Sequence, residues 1–367
     1  MQDQRSNSNR LPKLFIPGPV DIAPETYEAM SQPMIGHRGK DFEALYASIQ
    51  PGLQQILGTQ RPVYLSTSSA WGMMEGAIRN LVQTKVLNLC CGAFSDKWYD
   101  VALRCGKDAE KIQAEWGEAI DPAQVREKLS QGGFDTVTLV HNETSTGVMN
   151  DLASITSVVK EFPNVLLVVD TVSSLSAVPI EMDKLGVDVV LAGVQKAFAL
   201  PPGLAVCAIS EAALDRASGT PGRGYYFDFV EFEKNAAKNN TPSTPAISLL
   251  YALKQKVDSI SEEGLDNRYA RHKALNGMVH TWLEKHGFEH FAPEGYRSKS
   301  LTTIANNKNI DVPGFISALR EKHHILINGG YGKIKGTTFR ISNMGNETEA
   351  SMQELISMLD DVIVDFI

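Results

Sequence analysis

The segment Asp188–Gly203, DVVLAGVQKAFALPPG, places a lysine shortly after an apolar run. Val189–Ala192 is short and branched, as expected of a strand buried on both faces of a parallel sheet, and Gly193 is expected to end it. In open α/β sheets, ligands bind beyond the carboxyl ends of the strands. Most lysines lie in solvent, so Lys196 alone is compatible with an exposed turn. Its place after a buried strand favours a lysine that faces a binding site.

A second apolar run, NVLLVVD over 164–170, ends in Asp170 and continues into small polar residues. A carboxylate at the end of a buried strand is costly unless a cation or hydrogen-bond donors meet it. We therefore expect Asp170 and Lys196 to follow neighbouring strands and to face one crevice. A lysine that forms an imine with an aldehyde, and an acid that pairs with a protonated ring nitrogen, are the two groups that pyridoxal phosphate chemistry requires.

Size and composition indicate an ordinary globular protein. The chain has 367 residues, 43% of them hydrophobic and 21% charged, which predicts a large domain with a smaller companion. A net charge of -8 provides no general basic surface for nucleic acid or an anionic membrane. The polar first ten residues do not resemble a signal peptide, and no apolar run reaches the ~18 residues of a membrane span. We therefore expect a cytoplasmic protein.

The chain contains four cysteines, which are Cys90, Cys91, Cys105 and Cys207. They show neither CxxC spacing nor a metal-ligand pattern with histidine, so the sequence predicts no metal site. The adjacent Cys90 and Cys91 are typical of small buried residues in a strand, with a redox pair as the alternative. A reducing compartment fits this usage.

Strands and helices alternate from about residue 60 to 210 in the rhythm of βαβ units, which predicts a mostly parallel sheet flanked by helices. No GxGxxG or Walker pattern follows any of these strands. Beyond residue 265, a long helix and shorter α and β segments predict a small α+β domain. We expect residues 21–264 to form the large domain and residues 265–367 the small domain. Residues 1–20 are expected to be an N-terminal segment that packs with the small domain.

Further polar clusters are candidates for ligand binding. The hydroxyl-rich turn Ser66–Gly72 precedes a helix whose N–H groups could hold a phosphate, although a serine there is usually only a helix cap. The loop 33–40 carries His37 and Arg38, which are either solvated or hold an anion. Arg340 lies between apolar strand neighbours, and an arginine that faces inward usually meets an anion.

A series of segments resembles class V aminotransferases, the group of fold-type I pyridoxal phosphate enzymes that includes alanine–glyoxylate, serine–glyoxylate and phosphoserine aminotransferases. In chain order the segments are PGPVDIAPE, PMIGHRGKDFE, STSSAWGMMEGA, CGAFSDKW, HNETSTGV, VVDTVSSL, GVQKAFALPPG, NNTPSTPAISLLYAL and GYGKIKGTTFRISNMG. They cover essentially the whole chain. The resemblance implies a fold-type I architecture, with a large domain around a mostly parallel seven-stranded sheet and a smaller α+β C-terminal domain. It also implies pyridoxal phosphate as cofactor and a homodimer with active sites at the interface.

Carried over residue by residue, the resemblance implies that Lys196 links to the cofactor and then moves the proton of the 1,3-shift. Asp170 would keep the ring nitrogen protonated. Phe94 would stack on the ring unless it belongs to the core, and Thr144 or Ser145 would bond the ring hydroxyl. The other cofactor-binding positions are Ser69, Ala70, Trp71, Val172 and Gln195, with Thr241 or Thr244 supplied by the partner subunit. Arg340 would bind the substrate carboxylate beside the backbone of Gly18.

Two positions depart from the family pattern. Many relatives have Gly and Thr where this chain has Ala70 and Trp71, which leaves the phosphate donors open. The residue that stacks on the ring is often Trp in relatives, and Phe94 offers a smaller aromatic face.

The branch within the family stays open on sequence alone. The run 37–42 is similar to one in phosphoserine aminotransferases, in which His and Arg hold the substrate phosphate, and this assigns His37 and Arg38 to the substrate. The runs GYGKIKG and FRISNMG are more similar to the alanine– and serine–glyoxylate branch. We expect amino transfer between a small L-amino acid and a 2-oxo acid, with phosphoserine and 2-oxoglutarate preferred. The alternative is alanine or serine with glyoxylate or pyruvate.

Two other classes of function remain as alternatives. Cysteine desulfurases and kynureninases share the fold, the lysine and the aspartate, but a desulfurase needs a late catalytic cysteine and none follows Cys207. A non-catalytic cofactor-binding paralogue is disfavoured because Lys196, Asp170 and Arg340 are all present.

Overall fold

The computed structural model describes residues 11–367. In this range the strands are β1 (Lys13–Leu14), β2 (Val63–Ser66), β3 (Lys85–Cys90), β4 (Asp108–Gln113), β5 (Thr136–Val140), β6 (Asn142–Glu143), β7 (Val148–Met149), β8 (Leu166–Asp170), β9 (Val189–Gly193), β10 (Ala205–Ile209), β11 (Glu289–His290), β12 (Leu301–Ala305), β13 (Ile325–Leu326), β14 (Asn328–Gly329) and β15 (Thr338–Ser342). The α-helices are α1 (Pro24–Met30), α2 (Lys40–Leu57), α3 (Ala70–Leu81), α4 (Ala93–Arg104), α5 (Pro122–Ser130), α6 (Leu152–Val159), α7 (Met182–Leu185), α8 (Glu211–Ser218), α9 (Phe229–Ala236), α10 (Ile247–Glu263), α11 (Leu265–Lys285), α12 (Val312–His323) and α13 (Glu349–Ile363).

A seven-stranded sheet lies at the centre of the larger part of the chain, in the order β2–β10–β9–β8–β5–β3–β4. Strand β10 runs antiparallel to both of its neighbours, and the remaining strands are parallel to one another. Strands β5, β8 and β9 are buried along their whole length, as expected where helices cover both faces of a sheet. The predicted mostly parallel sheet is confirmed.

Some element boundaries differ from the sequence prediction. Strand β9 ends with Gly193 as expected, whereas two helices differ. The sequence predicts that the turn 92–95 leads into a helix from Asp96, but α4 begins at Ala93. The reason is that a buried carboxylate on β6, that of Glu143, accepts hydrogen bonds from backbone N–H groups of the first turn of α4. Pro51 lies within the apolar helical pattern of residues 41–57 and predicts a kink or a helix boundary there, but α2 continues through it.

The edge strand β4 was not predicted. Its residues, DAEKIQ, are exposed or half-buried except Ile112, and apolar residues do not alternate regularly with polar ones. Such polar strands are common at sheet edges, where only one neighbour is available, and they give almost no hydrophobic signal.

The C-terminal part contains a second sheet, β11–β12–β15–β14, in which all pairings are antiparallel. Helices α11, α12 and α13 pack on it around a separate hydrophobic core that includes Trp282, Phe315 and Phe339. Near the N-terminus, β1 pairs with β13 of this part, and the Val20 N–H then donates to the Gln195 carbonyl at 3.2 Å. The limits 1–20, 21–264 and 265–367 stay a prediction, and residues 1–10 lie outside the described residues.

None of the helices between residues 11 and 367 is long and apolar enough to cross a membrane. Over the same residues, no group of three or more His, Cys, Asp or Glu side chains gathers in a way that could hold a metal ion. The four cysteines are free thiols, and Cys90 and Cys91 are buried at the end of β3.

Candidate active site

A cavity of about 250 Å³ lies beyond the carboxyl ends of β8 and β9. These strands pair directly and in parallel, so Asp170 and Lys196 follow neighbouring strands. The sequence candidates that line the cavity are Gly18, Ser69, Ala70, Trp71, Phe94, Thr144, Asp170, Val172, Gln195, Lys196 and Arg340. The fold therefore gathers residues that are spread over most of the chain.

The Lys196 side chain is almost completely enclosed, with 7% of its surface exposed. Its Nζ donates to Thr144 Oγ1 at 2.7 Å and to Ser173 Oγ at 2.9 Å. Burial lowers the pKa of Lys196, and the nearby Arg340 charge lowers it further, although Asp170 and Glu143 act in the opposite direction. An amine with a lowered pKa is a better nucleophile and base near neutral pH than a lysine in water.

Asp170 ends β8 and is 5% exposed. Its Oδ1 accepts the Val172 N–H at 2.7 Å, which fixes the carboxylate at the wall of the cavity. Burial raises the pKa of Asp170, and the charge of Lys196 opposes that shift. A cation placed beside this carboxylate would stabilise its charged form, because the site provides little water to do so.

The N-terminus of α3 points its first residues at the same cavity. Ser69 is the N-cap residue but makes no side-chain capping bond, and Ala70 and Trp71 open the helix. The first N–H groups of a helix have no partner within the helix and favour an anion. Neither Ala70 nor Trp71 brings a hydroxyl, so the donors of this turn are its backbone N–H groups, the Ser69 hydroxyl and the indole N–H of Trp71. Lys97 Nζ lies 4.7 Å from the centre of the Trp71 ring.

Phe94 lies in the first turn of α4, and its ring centre is 5.2 Å from Lys196 Nζ. The fully buried carboxylate of Glu143 accepts the N–H groups of Phe94 at 3.3 Å and Ser95 at 3.0 Å. It also accepts the Ser145 hydroxyl at 2.7 Å. Ser145 is thus bonded to Glu143 and does not line the cavity, whereas Thr144 does.

Arg340 lies on β15 between two fully buried neighbours and reaches the cavity from the small sheet. Its Nε donates to the Gly329 carbonyl at 3.1 Å, and Nη1 donates to the Thr144 carbonyl at 3.2 Å. Burial lowers the pKa of its guanidinium to about 10. Tyr331 lies over the guanidinium at 5.8 Å and stacks on the Phe94 ring with a centroid separation of 5.6 Å.

Gly18 brings the N-terminal segment onto Lys196. Its φ is +91°, and a Cβ there would come within 2.9 Å of Lys196 Cγ and 3.0 Å of the Gln195 carbonyl oxygen. A side chain at this position would therefore displace the lysine stem.

Besides Ser145, four sequence candidates do not line this cavity within the same chain. Thr241 and Thr244 line a separate small depression next to Thr67, and the Thr241 hydroxyl donates to the Ser243 carbonyl. His37 is half-buried with its Nε2 3.4 Å from Thr244 Oγ1, and Arg38 is exposed.

Sequence reasoning missed several residues of the site. Ser173 contacts the lysine amine, and Tyr331 covers Phe94 and Arg340. Ser173 belongs to the polar run after Asp170, so its position was a usable signal. Tyr331 lies in a glycine-rich turn that offered no such signal, and Glu143 has no sequence mark that distinguishes it from a surface acid.

This set of residues fits pyridoxal phosphate. The cavity offers a buried amine for an aldehyde, a carboxylate for a ring nitrogen, an aromatic ring beside the amine, and helix N–H groups for a phosphate. The fold and the site define a fold-type I enzyme of the pyridoxal phosphate class.

The family model for class-V aminotransferases matches residues 27–351, and the chain belongs to this family. Pyridoxal phosphate is therefore its cofactor, and an amino acid and a 2-oxo acid are its substrates. The chain is 36% identical over 337 residues to an uncharacterised aminotransferase of Methanocaldococcus jannaschii, covering 90% of this chain and 87% of the relative. It is 32% identical to L-aspartate–glyoxylate aminotransferase of Paracoccus denitrificans and 31% identical to serine–glyoxylate aminotransferase of Methylorubrum extorquens. Each of these two matches covers 96% of this chain and 91% of the relative.

Solved structures give the same picture. Alanine–glyoxylate aminotransferase from Nostoc sp. superposes with a TM-score of 0.91 at 30% identity, covering 99% of this chain and 98% of that one. A phosphoserine aminotransferase from Cytophaga hutchinsonii superposes with a TM-score of 0.86 at 25% identity, covering 96% and 99%. The comparisons thus favour the glyoxylate alternative over the phosphoserine preference that the run 37–42 suggested.

Proposed function

We propose that the enzyme transfers the amino group of a small L-amino acid, serine or alanine, to glyoxylate or a similarly small 2-oxo acid. The observation that carries this proposal is the enclosed amine of Lys196, held by two hydroxyls in a cavity shared with Asp170 and Arg340. The named relatives that use glyoxylate support the choice of acceptor.

The charges of the cavity support a substrate with a single carboxylate. In the part of the chain that the structure describes, Lys196 and Arg340 are the cations that line it, and the other lining groups are mostly aromatic, small or polar. If Lys196 serves the cofactor, Arg340 remains for one carboxylate. A second carboxylate or a phosphate on the substrate would be desolvated there without a partner of its own, which is costly.

Each proposed role follows from the position of the side chain. Pyridoxal phosphate supplies, when bound, an aldehyde that links to an amine and a ring that takes up the electron pair left by removal of the substrate α-proton. Lys196 Nζ, with its lowered pKa, accepts and returns that proton. Asp170 holds a proton at the ring nitrogen, and the Val172 N–H keeps the carboxylate in place. Arg340 binds the substrate carboxylate with the N–H groups that Gly329 and Thr144 leave free.

The remaining roles concern binding of the cofactor. We propose that the N–H groups of Ser69, Ala70 and Trp71, with the Gln195 side chain, bind the phosphate, and that Phe94 stacks on the ring. For the ring hydroxyl, Thr144 is the better candidate of the two named, because Ser145 is already bonded to Glu143. Val172 and Gly18 complete the walls beside the ring and the substrate.

The test is a panel of serine, alanine, aspartate and phosphoserine as donors against glyoxylate, pyruvate and 2-oxoglutarate as acceptors. We expect kcat/KM with serine or alanine and glyoxylate to exceed that with phosphoserine and 2-oxoglutarate by at least about tenfold, since an unpaired buried charge costs more than the ~1.4 kcal/mol that this ratio represents. If phosphoserine is the best donor, the proposed substrate class is wrong and His37 and Arg38 regain their assigned role.

We also propose a homodimer in which Thr241 or Thr244 reaches the cofactor phosphate of the partner subunit. Large apolar side chains are exposed in the same region, at Met34, Tyr225 and Tyr226, and such groups often mark an interface. The Tyr226 hydroxyl donates to the Thr67 carbonyl at 3.1 Å, close to the start of α3. Light scattering after size exclusion should give the mass of two chains, and a monomer that binds cofactor and turns over would contradict the shared site.

Location is the remaining part of the proposal, and we assign the enzyme to the cytoplasm. The four cysteines are free thiols, and burial raises the pKa of Cys91 to about 12. Unpaired thiols are typical of reducing compartments. Fractionation of cells that produce the protein should recover it with cytoplasmic markers, and recovery with secreted material would refute the assignment.

A further inference from the structure

A buried arginine, Arg268, donates hydrogen bonds to the backbone next to Lys196. Arg268 lies in the first turn of α11 and is 2% exposed. Its Nη2 donates to the Ala197 carbonyl at 2.6 Å, and its Nε donates to the Ser176 carbonyl at 3.1 Å. Ala197 directly follows Lys196, and Ser176 ends the segment that contains Ser173, whose hydroxyl contacts the lysine amine. One guanidinium therefore holds both backbone segments that surround the amine.

An ion network continues from this arginine into the small sheet. The Glu263 carboxylate accepts Arg268 Nη1 at 2.8 Å and also accepts Arg271 Nε at 2.6 Å and Nη2 at 3.1 Å. Arg271 Nη1 in turn donates to the carbonyls of Gly345 at 3.3 Å and Glu347 at 2.7 Å. Both carbonyls follow β15, the strand of the substrate-facing arginine.

The segment bound by Arg271 also contacts the turn 196–199, which is called the lysine turn below. Gly345 has φ of +82°, and a Cβ there would come within 3.1 Å of the Ala199 Cβ and 3.2 Å of Val20. Ala199 itself has φ of +54°, and its N–H donates to the Lys196 carbonyl at 2.8 Å. The lysine turn is thus held by Arg268 at one residue and packed by the end of β15 at another.

The choice of residue suits this task. Arginine presents several N–H donors in one rigid plane, so a single side chain can bond two carbonyl oxygens and a carboxylate at once. A lysine has one nitrogen and cannot reach all three in the same geometry. The guanidinium has left water completely, and these three partners compensate for that loss.

We propose that Arg268 is a positioning residue for Lys196. Its bonds to the Ala197 and Ser176 carbonyls set where the amine lies relative to the Thr144 and Ser173 hydroxyls, and Glu263 with Arg271 ties that position to β15. The role of Arg268 presupposes that Lys196 is the lysine that links to the cofactor, as proposed above.

The test compares Arg268→Lys and Arg268→Gln with Arg126→Lys and Arg126→Gln. Arg126 makes an exposed two-bond pair with Glu161 at 2.8 and 2.6 Å and lies outside the site, so it controls for loss of an arginine–glutamate pair. In the apoprotein, the rate of covalent linkage to added pyridoxal phosphate is followed by absorbance across pH. In the loaded enzyme, the pH midpoint of the cofactor absorbance, kcat, KM and Tm are measured.

We expect Arg268→Gln to slow linkage by about 10- to 100-fold and to shift the pH midpoint, because a small misplacement of a reacting group costs this much. Arg268→Lys should recover part of the rate, and kcat should fall more than KM rises. The Arg126 variants should keep the wild-type rate and midpoint. Arg268 variants that lose Tm but keep the wild-type linkage rate and midpoint would overturn the proposal and leave Arg268 an anchor of α11 alone.

If Arg268→Gln does not fold, a second variant, Glu263→Gln, tests the same positioning role. Glu263→Gln removes the ionic link to both Arg268 and Arg271 while leaving the Arg268 bonds to the two carbonyls available, and we expect a smaller slowing in the same direction. Wild-type rate and midpoint in Glu263→Gln would also count against the proposal. If the wild-type protein forms no covalent link, or if Lys196→Ala still forms it, the Lys196 assignment fails instead.

Discussion

The turn after β9 and the loop 33–40 both carry basic side chains that the sequence assigns to the site, but only one of them is enclosed. Lys196 Nζ lies between two hydroxyls in the cavity, whereas Arg38 is exposed and His37 is half-buried beside Thr244. Burial lowers the pKa of Lys196, which changes what the amine can do. The comparison teaches that burial, more than residue type, distinguishes a basic side chain that can take part in catalysis from one that only carries a charge in solvent.

The largest effect is expected at Lys196, the enclosed residue of the two regions compared. Lys196→Ala should lower kcat by about 10⁴-fold or more and remove the absorbance of covalently bound cofactor, since it removes both the linking amine and the proton carrier. Lys322→Ala, which breaks an exposed pair with Asp361, serves as the control and should retain activity. Normal turnover in Lys196→Ala would refute the assignment.

The second prediction compares an aspartate at the carboxyl end of a strand, Asp170, with one at the amino end of the next strand, Asp188. Asp170→Asn should lower kcat by about 10²–10³-fold, the usual cost of removing one preorganised charge from an active site, with a smaller change in cofactor affinity. Asp188 serves as the control because it is a half-buried aspartate that precedes β9, where its carboxylate accepts the Leu167 N–H and the Ser210 hydroxyl. Asp188→Asn should lower Tm and keep kcat. Equal losses of kcat in both variants would remove the distinction.

A third prediction uses a buried histidine next to the site. His141 Nδ1 lies 2.9 Å from Ser174 Oγ, and burial lowers the pKa of His141 to about 4, partly opposed by Asp151. Between that value and the ordinary pKa near 6.5, the unfolded chain binds the proton and the folded chain does not. The His141 contribution to the free energy of unfolding therefore falls as pH drops through this window, by about 3 kcal/mol at most.

Denaturant titrations at several pH values check this contribution. The stability difference between the wild type and His141→Gln should shrink from pH 7 to pH 4. Parallel pH profiles for the wild type and His141→Gln would contradict the prediction.

The smallest effect is expected in the loop 33–40, the more exposed of the two regions compared. His37→Ala and Arg38→Ala should change kcat/KM for serine or alanine by less than about threefold, as is usual for exposed positions that cost under ~0.5 kcal/mol. The same assays with phosphoserine supply the contrast. A selective loss of phosphoserine activity above tenfold would show that this loop binds a substrate phosphate after all.

Much of the fold could be predicted from local pattern. The buried strands β5, β8 and β9 are nearly uniform apolar runs, because both faces of a parallel strand meet helices. The edge strand β4 and the true start of α4 could not be predicted. In β4 the pattern is polar, and α4 begins where a carboxylate that lies 49 residues further along the chain accepts the Phe94 N–H.

The sequence alone indicated pyridoxal phosphate chemistry, because a lysine and an aspartate at the ends of successive buried strands face one edge of a parallel sheet. Its resemblance to class V aminotransferases then indicated the reaction class. Tertiary structure decided the surroundings of that pair: Ser173 and Tyr331 at the site, Ser145 behind it, and Arg268 beneath it. The physical reason is that burial and hydrogen bonding depend on segments far apart in the chain. A single residue in a sequence does not reveal whether it has been removed from water, or which distant carbonyl or carboxylate compensates for that loss.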